Sequence, residues 1–207
     1  ISSTLKNFLK EDDRLFTTNV RYKETNSKDV VRLVSSKEFD LGIVRCQVLY
    51  EPFFLKMIQD EHLDSKVLWQ VSPKGLMSPS HPLAGKEPLD HLDFSQSVEL
   101  LQGDIQYPSF TPENTDCVLP DSDPRHTIYI YDRGSQYEFL RHLPGAYMWT
   151  SPVPYSTLTE AKLIQRECTR PDNVFKDLLV CRSNYRLSKA ETELTQWLGR
   201  TISQLSD

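Results

Sequence analysis

The segment from Asn19 to Arg45 constrains the fold more than any other part of the sequence. Residues Asn19 to Glu24 alternate apolar and polar side chains, which predicts a β-strand. The apolar residues between Val30 and Val34 then recur at helical spacing, and Phe39 to Val44 is typical of a strand buried on both faces of a parallel sheet. The segment therefore predicts one βαβ unit of an α/β protein.

Polar side chains follow both predicted strands of this unit. Asn26 or Ser27 can cap the helix, which we expect to begin near Ser27. Parallel strands end at one edge of a sheet, so Thr25, Asn26, Ser27 and Arg45 are expected at the edge where open α/β sheets bind ligands. Hydroxyl groups, a helix amino end and a guanidinium suit a small anion such as a carboxylate. The alternative is that the turn only caps the helix and Arg45 is a solvated charge.

The second half of the chain repeats the order of strand, polar turn, helix and strand. The β-branched and aromatic run from Thr127 to Tyr131 predicts a strand. A helix is predicted from Gln136 to His142 and a further strand from Ala146 to Trp149. Before them, Tyr107 to Arg125 is predicted to be a long loop rich in Pro and Asp.

The remaining elements follow from the same periodicities. We predict strands over Val67–Val71, Val98–Leu101, Lys162–Cys168 and Lys176–Cys181, and helices at the amino terminus, after Pro52, near Leu92 and after Ser188, where Glu191 completes a capping box.

Length and charge limit the classes of protein that remain. A chain of 207 residues fits one large domain or two small lobes. The net charge of −5 comes without a basic run, which argues against direct binding to nucleic acid. No apolar run is long enough to cross a membrane, and the start shows no signal-peptide character. Because the first residue is Ile1, we interpret the chain as a fragment of a longer protein, with processing as the alternative.

The sequence contains none of the short motifs that mark common catalytic or nucleotide-binding sites. The four cysteines form no CxxC pair, so we interpret them as reduced thiols, with two disulfides in an exported protein as the alternative. The five histidines lack paired ligand spacing and are interpreted as surface residues. We therefore predict no catalytic residues, no metal and no cofactor, and a protein that is not an enzyme.

Several stretches together resemble a known family. NVRYKETNSKDVVRLVSSKEFDLGIV, the HPLA motif at His81 to Ala84, and FKDLLVCRS with the helix after it are similar to segments of the effector-binding domain of LysR-type transcriptional regulators. Each motif is short, but their order and spacing extend over nearly the whole chain. The sequence departs from the family where RGSQYEFLRHLPGAYMWTSP replaces the usual GxGia.lP stretch.

The resemblance implies an α/β fold like that of the type II periplasmic binding proteins. Two Rossmann-like lobes would be joined by two crossover strands, with a small effector in the cleft between them. Residues 1–75 and 166–207 would form the first lobe, and residues 76–165 the second. The winged helix-turn-helix that reads DNA in this family is absent from this chain, so DNA would be bound only through a missing amino-terminal domain.

Carried over by position, the resemblance implies an effector site lined by eleven residues. These are Thr25, Asn26, Ser27, Arg45, Met77, Ser78, Arg133, Gly134, Ser135, Thr150 and Ser151. For each of them the alternative is a turn or cap residue. Arg45 and Arg133 both follow strands beside helix amino ends, which predicts an effector that is small, polar and negatively charged.

We therefore predict a cytoplasmic ligand sensor that controls DNA binding and transcription as its lobes close on an effector. The resemblance also implies a homo-oligomer, paired antiparallel, with the helix from Lys28 to Ser35 as one contact surface. The alternative is an exported solute-binding protein of the same fold, which would carry a signal sequence where the regulator carries its helix-turn-helix. A small-molecule enzyme is disfavoured because no catalytic constellation was found.

Overall fold

The computed structural model describes residues 2–10, 19–104, 126–169 and 174–206. The predicted loop from Tyr107 to Arg125, with Cys117, lies wholly outside these residues. The chain divides into two compact units, one of Ile1–Gln70 with Phe175–Asp207, the other of Val71–Val174. The chain thus leaves the first unit and returns to it after completing the second. The lobe boundaries implied by the resemblance, 75 and 166, stay a prediction.

The described residues form six α-helices and ten strands. The helices are α1 (Ser2–Lys10), α2 (Ser27–Ser35), α3 (Glu51–Asp60), α4 (Arg133–His142), α5 (Tyr155–Ala161) and α6 (Lys189–Ser206). The strands are β1 (Leu41–Gln47), β2 (Leu63–Val71), β3 (Lys74–Met77), β4 (Leu89–Asp90), β5 (Val98–Gln102), β6 (Thr127–Ile130), β7 (Ala146–Thr150), β8 (Ile164–Arg166), β9 (Cys168–Thr169) and β10 (Phe175–Arg182). Short 3-10 helices cover Val48–Tyr50 and His91–Gln96.

The first unit is built on a three-stranded sheet in the order β1-β10-β2. Helix α2 packs closely on β1 at Gly42, where an added Cβ would lie 2.5 Å from the Cγ1 of Val30. Glycine at this position therefore lets the helix approach the strand. Helices α2 and α3 cover a buried apolar core that contains Val31, Val34, Val44, Phe54, Ile58, Leu178 and Val180.

The predicted strand from Asn19 to Glu24 is wrong, because residues 19–26 form neither a helix nor a strand. Alternation favours a strand only when one set of side chains finds a buried face, and here Val20 and Tyr22 are 39% and 47% exposed. The predicted parallel pairing is also wrong, since β1 pairs antiparallel with β10. Nor is β1 buried on both faces, because Arg45, between the buried Val44 and Cys46, is exposed.

The second unit contains a five-stranded sheet in the order β6-β5-β7-β3-β8. Strands β6, β5 and β7 run parallel, and α4 connects β6 to β7, which confirms the strand, turn, helix and strand predicted here. Strands β3 and β8 join this parallel core antiparallel. A separate parallel pair, β4 with β9, completes the strands of the unit.

The carboxyl-terminal helix α6 begins with the predicted capping box. The Ser188 hydroxyl accepts the N–H of Glu191, and the Glu191 carboxylate accepts the N–H of Ser188 at 2.7 Å. Glu191 also accepts the Tyr185 hydroxyl, which ties the start of the helix to the end of β10. Among the described residues, no helix is both long enough and apolar enough to span a membrane.

Candidate functional site

The amino end of α2 is closed by hydrogen bonds among its own first residues. Asn26 is the cap, and its Oδ1 accepts the N–H of Asp29 at 2.9 Å. The Asp29 carboxylate in turn accepts the side chains of Asn26 at 3.0 Å and Thr25 at 3.3 Å, and that of Arg32 from the next turn. Burial alone would raise the pKa of Asp29, but these hydrogen bonds outweigh it and hold the pKa below its usual value. Thr25 and Asn26 therefore act within the turn, as the capping alternative expected.

Ser27 fastens the first turn of α2 to strand β1. Its hydroxyl donates to the backbone oxygen of Arg45 at 2.7 Å and accepts the backbone N–H of the same residue at 3.1 Å. The structure thus brings Ser27 and Arg45 together, as predicted, although not at the end of a parallel strand. The contact involves the backbone of Arg45 and leaves its guanidinium free to point elsewhere.

The guanidinium of Arg45 is paired with Asp177 on the neighbouring strand β10. Its Nε and Nη2 donate to the two carboxylate oxygens at 2.7 and 2.6 Å. The Asp177 side chain is only 5% exposed, whereas that of Arg45 is 41% exposed. The predicted free cation is therefore already neutralised. Asp40, which is closer to Arg45 in sequence, pairs with Arg182 instead.

At the second unit, Asp132 closes the amino end of α4. Its carboxylate accepts the N–H groups of Gly134 and Ser135 at 3.2 and 3.1 Å, and the Ser135 hydroxyl at 2.5 Å. The bonds from Ser135 and Gly134 hold the pKa of Asp132 below its usual value. The predicted free cluster of N–H groups at Gly134 and Ser135 thus already holds a carboxylate. Arg133 is the first residue of α4, and its side chain lies outside the described part of the chain.

Thr150 and Ser151, at the carboxyl end of β7, are organised by a residue that sequence reasoning missed. The Gln165 side-chain N–H group donates to the Thr150 hydroxyl at 2.6 Å and to the Ser151 backbone oxygen at 2.8 Å. Its oxygen accepts the N–H of Val153 at 2.9 Å. Gln165 lies on β8, and no sequence pattern joins it to β7.

Two further glutamines line the same edge of this sheet. Gln136 of α4 donates to the side-chain oxygen of Gln102, at the carboxyl end of β5, at 2.8 Å. Gln102 donates to the backbone oxygen of Tyr131 at 3.1 Å. A polar residue at the end of a buried strand was the one available signal for Gln102. The amide pair fixes α4 against the ends of β5 and β6.

Met77 and Ser78 do not lie with the other predicted site residues of this unit. Strand β3 runs antiparallel to β7, so Lys74 is opposite Thr150 while Met77 is opposite Tyr147. Ser78 therefore lies at the other edge of the sheet, roughly 13 Å from the level of Thr150 at about 3.3 Å per residue. The prediction grouped them because it carried positions over from the family resemblance and assigned no strand to Lys74–Met77.

The described residues carry no metal centre. No group of three or more potential ligands comes together among them. Cys46, Cys168 and Cys181 are free, and burial with the nearby carboxylate of Glu51 raises the pKa of Cys46 to about 11. Cys46 is therefore protonated and unreactive near neutral pH.

The HPLA motif has a structural explanation. His81 is buried, not a surface residue as predicted, and its Nδ1 accepts the N–H of Leu83 at 3.1 Å while its backbone oxygen accepts the N–H of Ala84. Burial lowers the pKa of His81, and the contact with Gly145 offsets this only in part. The histidine shapes a turn and takes no part in a proton-transfer pair among the described residues.

Several solved structures that are similar to this chain are effector-binding or regulatory domains. The effector-binding domain of QuiR in complex with shikimate is 15% identical and matches 98% of this chain and 90% of its own, with a TM-score of 0.53. A sulfate-bound variant of the OxyR2 regulatory domain from Vibrio vulnificus is 18% identical, matches 95% and 89%, and has a TM-score of 0.61. The regulatory domain of MetR, a LysR family regulator from N. meningitidis, is 16% identical, matches 99% and 88%, and has a TM-score of 0.54.

No protein-family model matches the sequence, and no curated protein matches it. The chain therefore has the two-lobed α/β fold of LysR-type effector-binding domains, as the sequence resemblance predicted. A match to full-length BenM also covers nearly the whole of this chain, but it covers only 63% of the BenM chain.

Proposed function

We propose that this chain is the effector-sensing domain of a LysR-type transcriptional regulator. The observation that carries the proposal is the shared fold, which extends over 95–99% of the chain in the three comparisons. Periplasmic-binding-protein-like domains convert ligand binding into a change of conformation, and such a change can alter an attached DNA-binding domain. The resemblance implies that the effector would bind in a cleft between lobes. We propose further that the protein acts in the cytoplasm as a homo-oligomer without enzymatic activity.

We propose that both units contribute to this effector site. The first unit supplies Arg45 and the amino end of α2, where helix geometry leaves the first N–H groups without an intrahelical acceptor. The second unit supplies Thr150 and Ser151 with the amino end of α4. Because Gln165 donates to the Thr150 hydroxyl oxygen, the hydroxyl hydrogen remains available to a ligand.

The proposed effector is small and polar and carries a negative charge. We propose that its charged group binds to the first unit. A bidentate pair uses two of the five N–H groups of a guanidinium, so Arg45 keeps donors for a ligand. The ionised Asp132 would repel an anion at the amino end of α4. Effector hydroxyl groups suit that end better. Shikimate in QuiR and sulfate in the OxyR2 variant support a polar ligand for this fold.

Binding of a metabolite panel tests the proposal. We expect saturable binding of at least one anionic compound, measured by calorimetry. The variant Arg45→Gln/Asp177→Asn removes both charges and so leaves no lone buried carboxylate. It should weaken binding by about 10-fold, because one charge-assisted hydrogen bond contributes ~1.5 kcal/mol.

The matched control is Lys189→Gln/Glu193→Gln, which removes an exposed ion pair from α6. It should leave the affinity unchanged. Tight binding of neutral compounds that is insensitive to the Arg45→Gln/Asp177→Asn variant would contradict the anionic effector. Failure of every compound in a broad panel to bind would argue against the sensor itself.

A further inference from the structure

A pocket lies in the second unit, at the edge of its sheet opposite Thr150. It has a volume of about 470 Å³, and we call it the distal pocket. Its polar lining comes from Ser78, Ser80, Glu138, Arg141, His142 and Lys162. All of these residues belong to one unit, so the pocket does not depend on how the two units are arranged.

Three segments bring these residues to the pocket. Ser78 follows β3 directly, Arg141 lies in the last turn of α4, and Lys162 separates α5 from β8. Lys162 has a φ of 53°, in the left-handed region that ends a helix, although it is not glycine. Strands β3, β7 and β8 fix all three segments, because Met77 is opposite both Tyr147 and Ile164.

The two serines form a short chain of hydroxyl groups. Ser78 is only 5% exposed, and its hydroxyl oxygen accepts the N–H of Ser80 at 3.2 Å and lies 2.8 Å from the Ser80 hydroxyl. When Ser78 donates to Ser80, the Ser80 hydrogen is free for an acceptor in the pocket. Ser78 is therefore a positioning residue, and Ser80 is the donor that a ligand would meet.

The charges around the distal pocket leave it positive. Glu138 pairs with Arg141 and lies 2.9 Å from the Nε2 of His142, so its carboxylate is occupied. Lys162 forms no ion pair with any described residue. The carboxyl end of α4 contributes roughly −0.5 charge. With His142 uncharged, the two cations still exceed the negative charge of Glu138 and the helix end together.

We propose that the distal pocket binds a small ligand through an oxyanion group, either a phosphate or a carboxylate. Lys162 supplies the charge and Ser80 donates a hydrogen bond, while Arg141 adds donors that Glu138 does not use. The volume lies within the range of small-molecule sites. This site is separate from the effector site proposed at Arg45, Thr150 and Ser151. Ser78, which the resemblance assigned to the effector site, lines the distal pocket.

Titration with inorganic phosphate, and separately with acetate, tests the distal pocket. Binding is followed by NMR amide shifts at constant ionic strength, with chloride as the reference salt. We expect saturable shifts at Ser80 and Lys162 from at least one of the two anions. Lys162→Gln should weaken the binding by about 10-fold or more, because it removes a charge-assisted contact. Ser80→Ala should weaken it by a smaller factor.

The matched control is Lys189→Gln, which removes the same charge from α6 in the other unit, where Lys189 is 93% exposed. It should change the affinity by less than about twofold, as expected for a screened distant charge. Three outcomes would overturn the proposal that the distal pocket binds an oxyanion. They are equal weakening by Lys189→Gln, no effect of Lys162→Gln, and an absence of saturable shifts with both anions.

The variants also separate this site from the proposed effector site. Thr150→Ala should leave phosphate binding at the distal pocket unchanged. If Thr150→Ala abolished the binding and Lys162→Gln did not, the anion would occupy the effector site and the distal-pocket proposal would be wrong. The proposed effector site would then be supported, so the two proposals can fail independently.

Discussion

Ser27 shows how one hydroxyl group can join two elements. It donates to and accepts from the backbone of Arg45, so its loss leaves a backbone N–H and a carbonyl without that partner. We expect Ser27→Ala to lower the free energy of unfolding by about 1–2 kcal/mol, measured by urea denaturation. Ser203→Ala is the control, since the only hydrogen bond of the Ser203 hydroxyl to a described residue is to the backbone oxygen of Gly199 within α6. Equal effects of the two substitutions would contradict the role of Ser27.

Asp132 makes the stability of the second unit depend on pH. Its pKa is lowered in the folded state, so the unfolded state binds the proton more readily. The stability from this carboxylate is therefore present above its ordinary pKa of 3.8 and is lost as the pH falls through the lowered value. We expect Asp132→Asn to reduce the drop in Tm as the pH falls from above 3.8 to well below it, because only the wild type loses the stability of this carboxylate.

The control for this experiment is Asp60→Asn, at the exposed end of α3. Asp60 forms no hydrogen bond with a described residue, so its substitution should leave the acid dependence unchanged. An identical drop in Tm for wild type and Asp132→Asn would show that protonation of Asp132 does not contribute to the pH dependence of stability.

Residue contacts were predictable from the sequence when they were local. The caps at Asn26 and Ser188 are hydrogen bonds between residues three positions apart, and side-chain type alone indicates them. The contacts of Gln165 reach back 14 and 15 residues, to Ser151 and Thr150. Such contacts depend on strand register, which no single residue encodes.

At the scale of elements, β1 and β10 are joined by an ion pair with unequal partners. Asp177 is buried and Arg45 is not. Removing the arginine therefore leaves a buried carboxylate without its partner, whereas removing the aspartate leaves a cation that water can reach. We expect Arg45→Ala to destabilise the protein by about 2 kcal/mol, less than for a fully buried pair because Arg45 is partly solvated.

Asp177→Ala should lower the free energy of unfolding by less than Arg45→Ala does. In a double-mutant cycle measured by urea denaturation, the effects of the two substitutions should not be additive. A larger loss for Asp177→Ala than for Arg45→Ala would contradict this order. If the loss of stability in the double variant equalled the sum of the two single losses, the ion pair would contribute nothing beyond its separate residues.

Five of the six α-helices and most strands of the described residues were predicted from periodicity, but helix α5 and the strand pairing were not. Strand β7 and helices α3 and α4 were indicated by runs of residues whose burial follows one face. The segment Asn19 to Glu24 carried an equally clear alternation and forms no strand. Whether an alternating segment pairs depends on a partner elsewhere in the chain. Nor did the sequence indicate that β3 runs antiparallel to β7, which separates Ser78 from Thr150.

At the scale of the whole molecule, we expect the chain to self-associate. The resemblance to LysR-type domains implies antiparallel pairing, with α2 as one contact surface, and Arg32 is its exposed central residue. Sedimentation velocity at high micromolar concentration should show a dimer, and Arg32→Glu should weaken it by reversing a charge at the interface. A monomer at the highest concentration would contradict this prediction.

The sheet order of the first unit also determines when that unit can fold on the ribosome. Strand β10 lies between β1 and β2, yet it is synthesised about 100 residues after β2, which takes roughly 5–20 s at ordinary translation rates. During that interval two strands have emerged without the central strand that pairs them. We expect nascent chains stalled before Phe175 to be cleaved by protease between β1 and β2, and chains released after α6 to resist. Protection before β10 emerges would show that another segment holds these strands during synthesis.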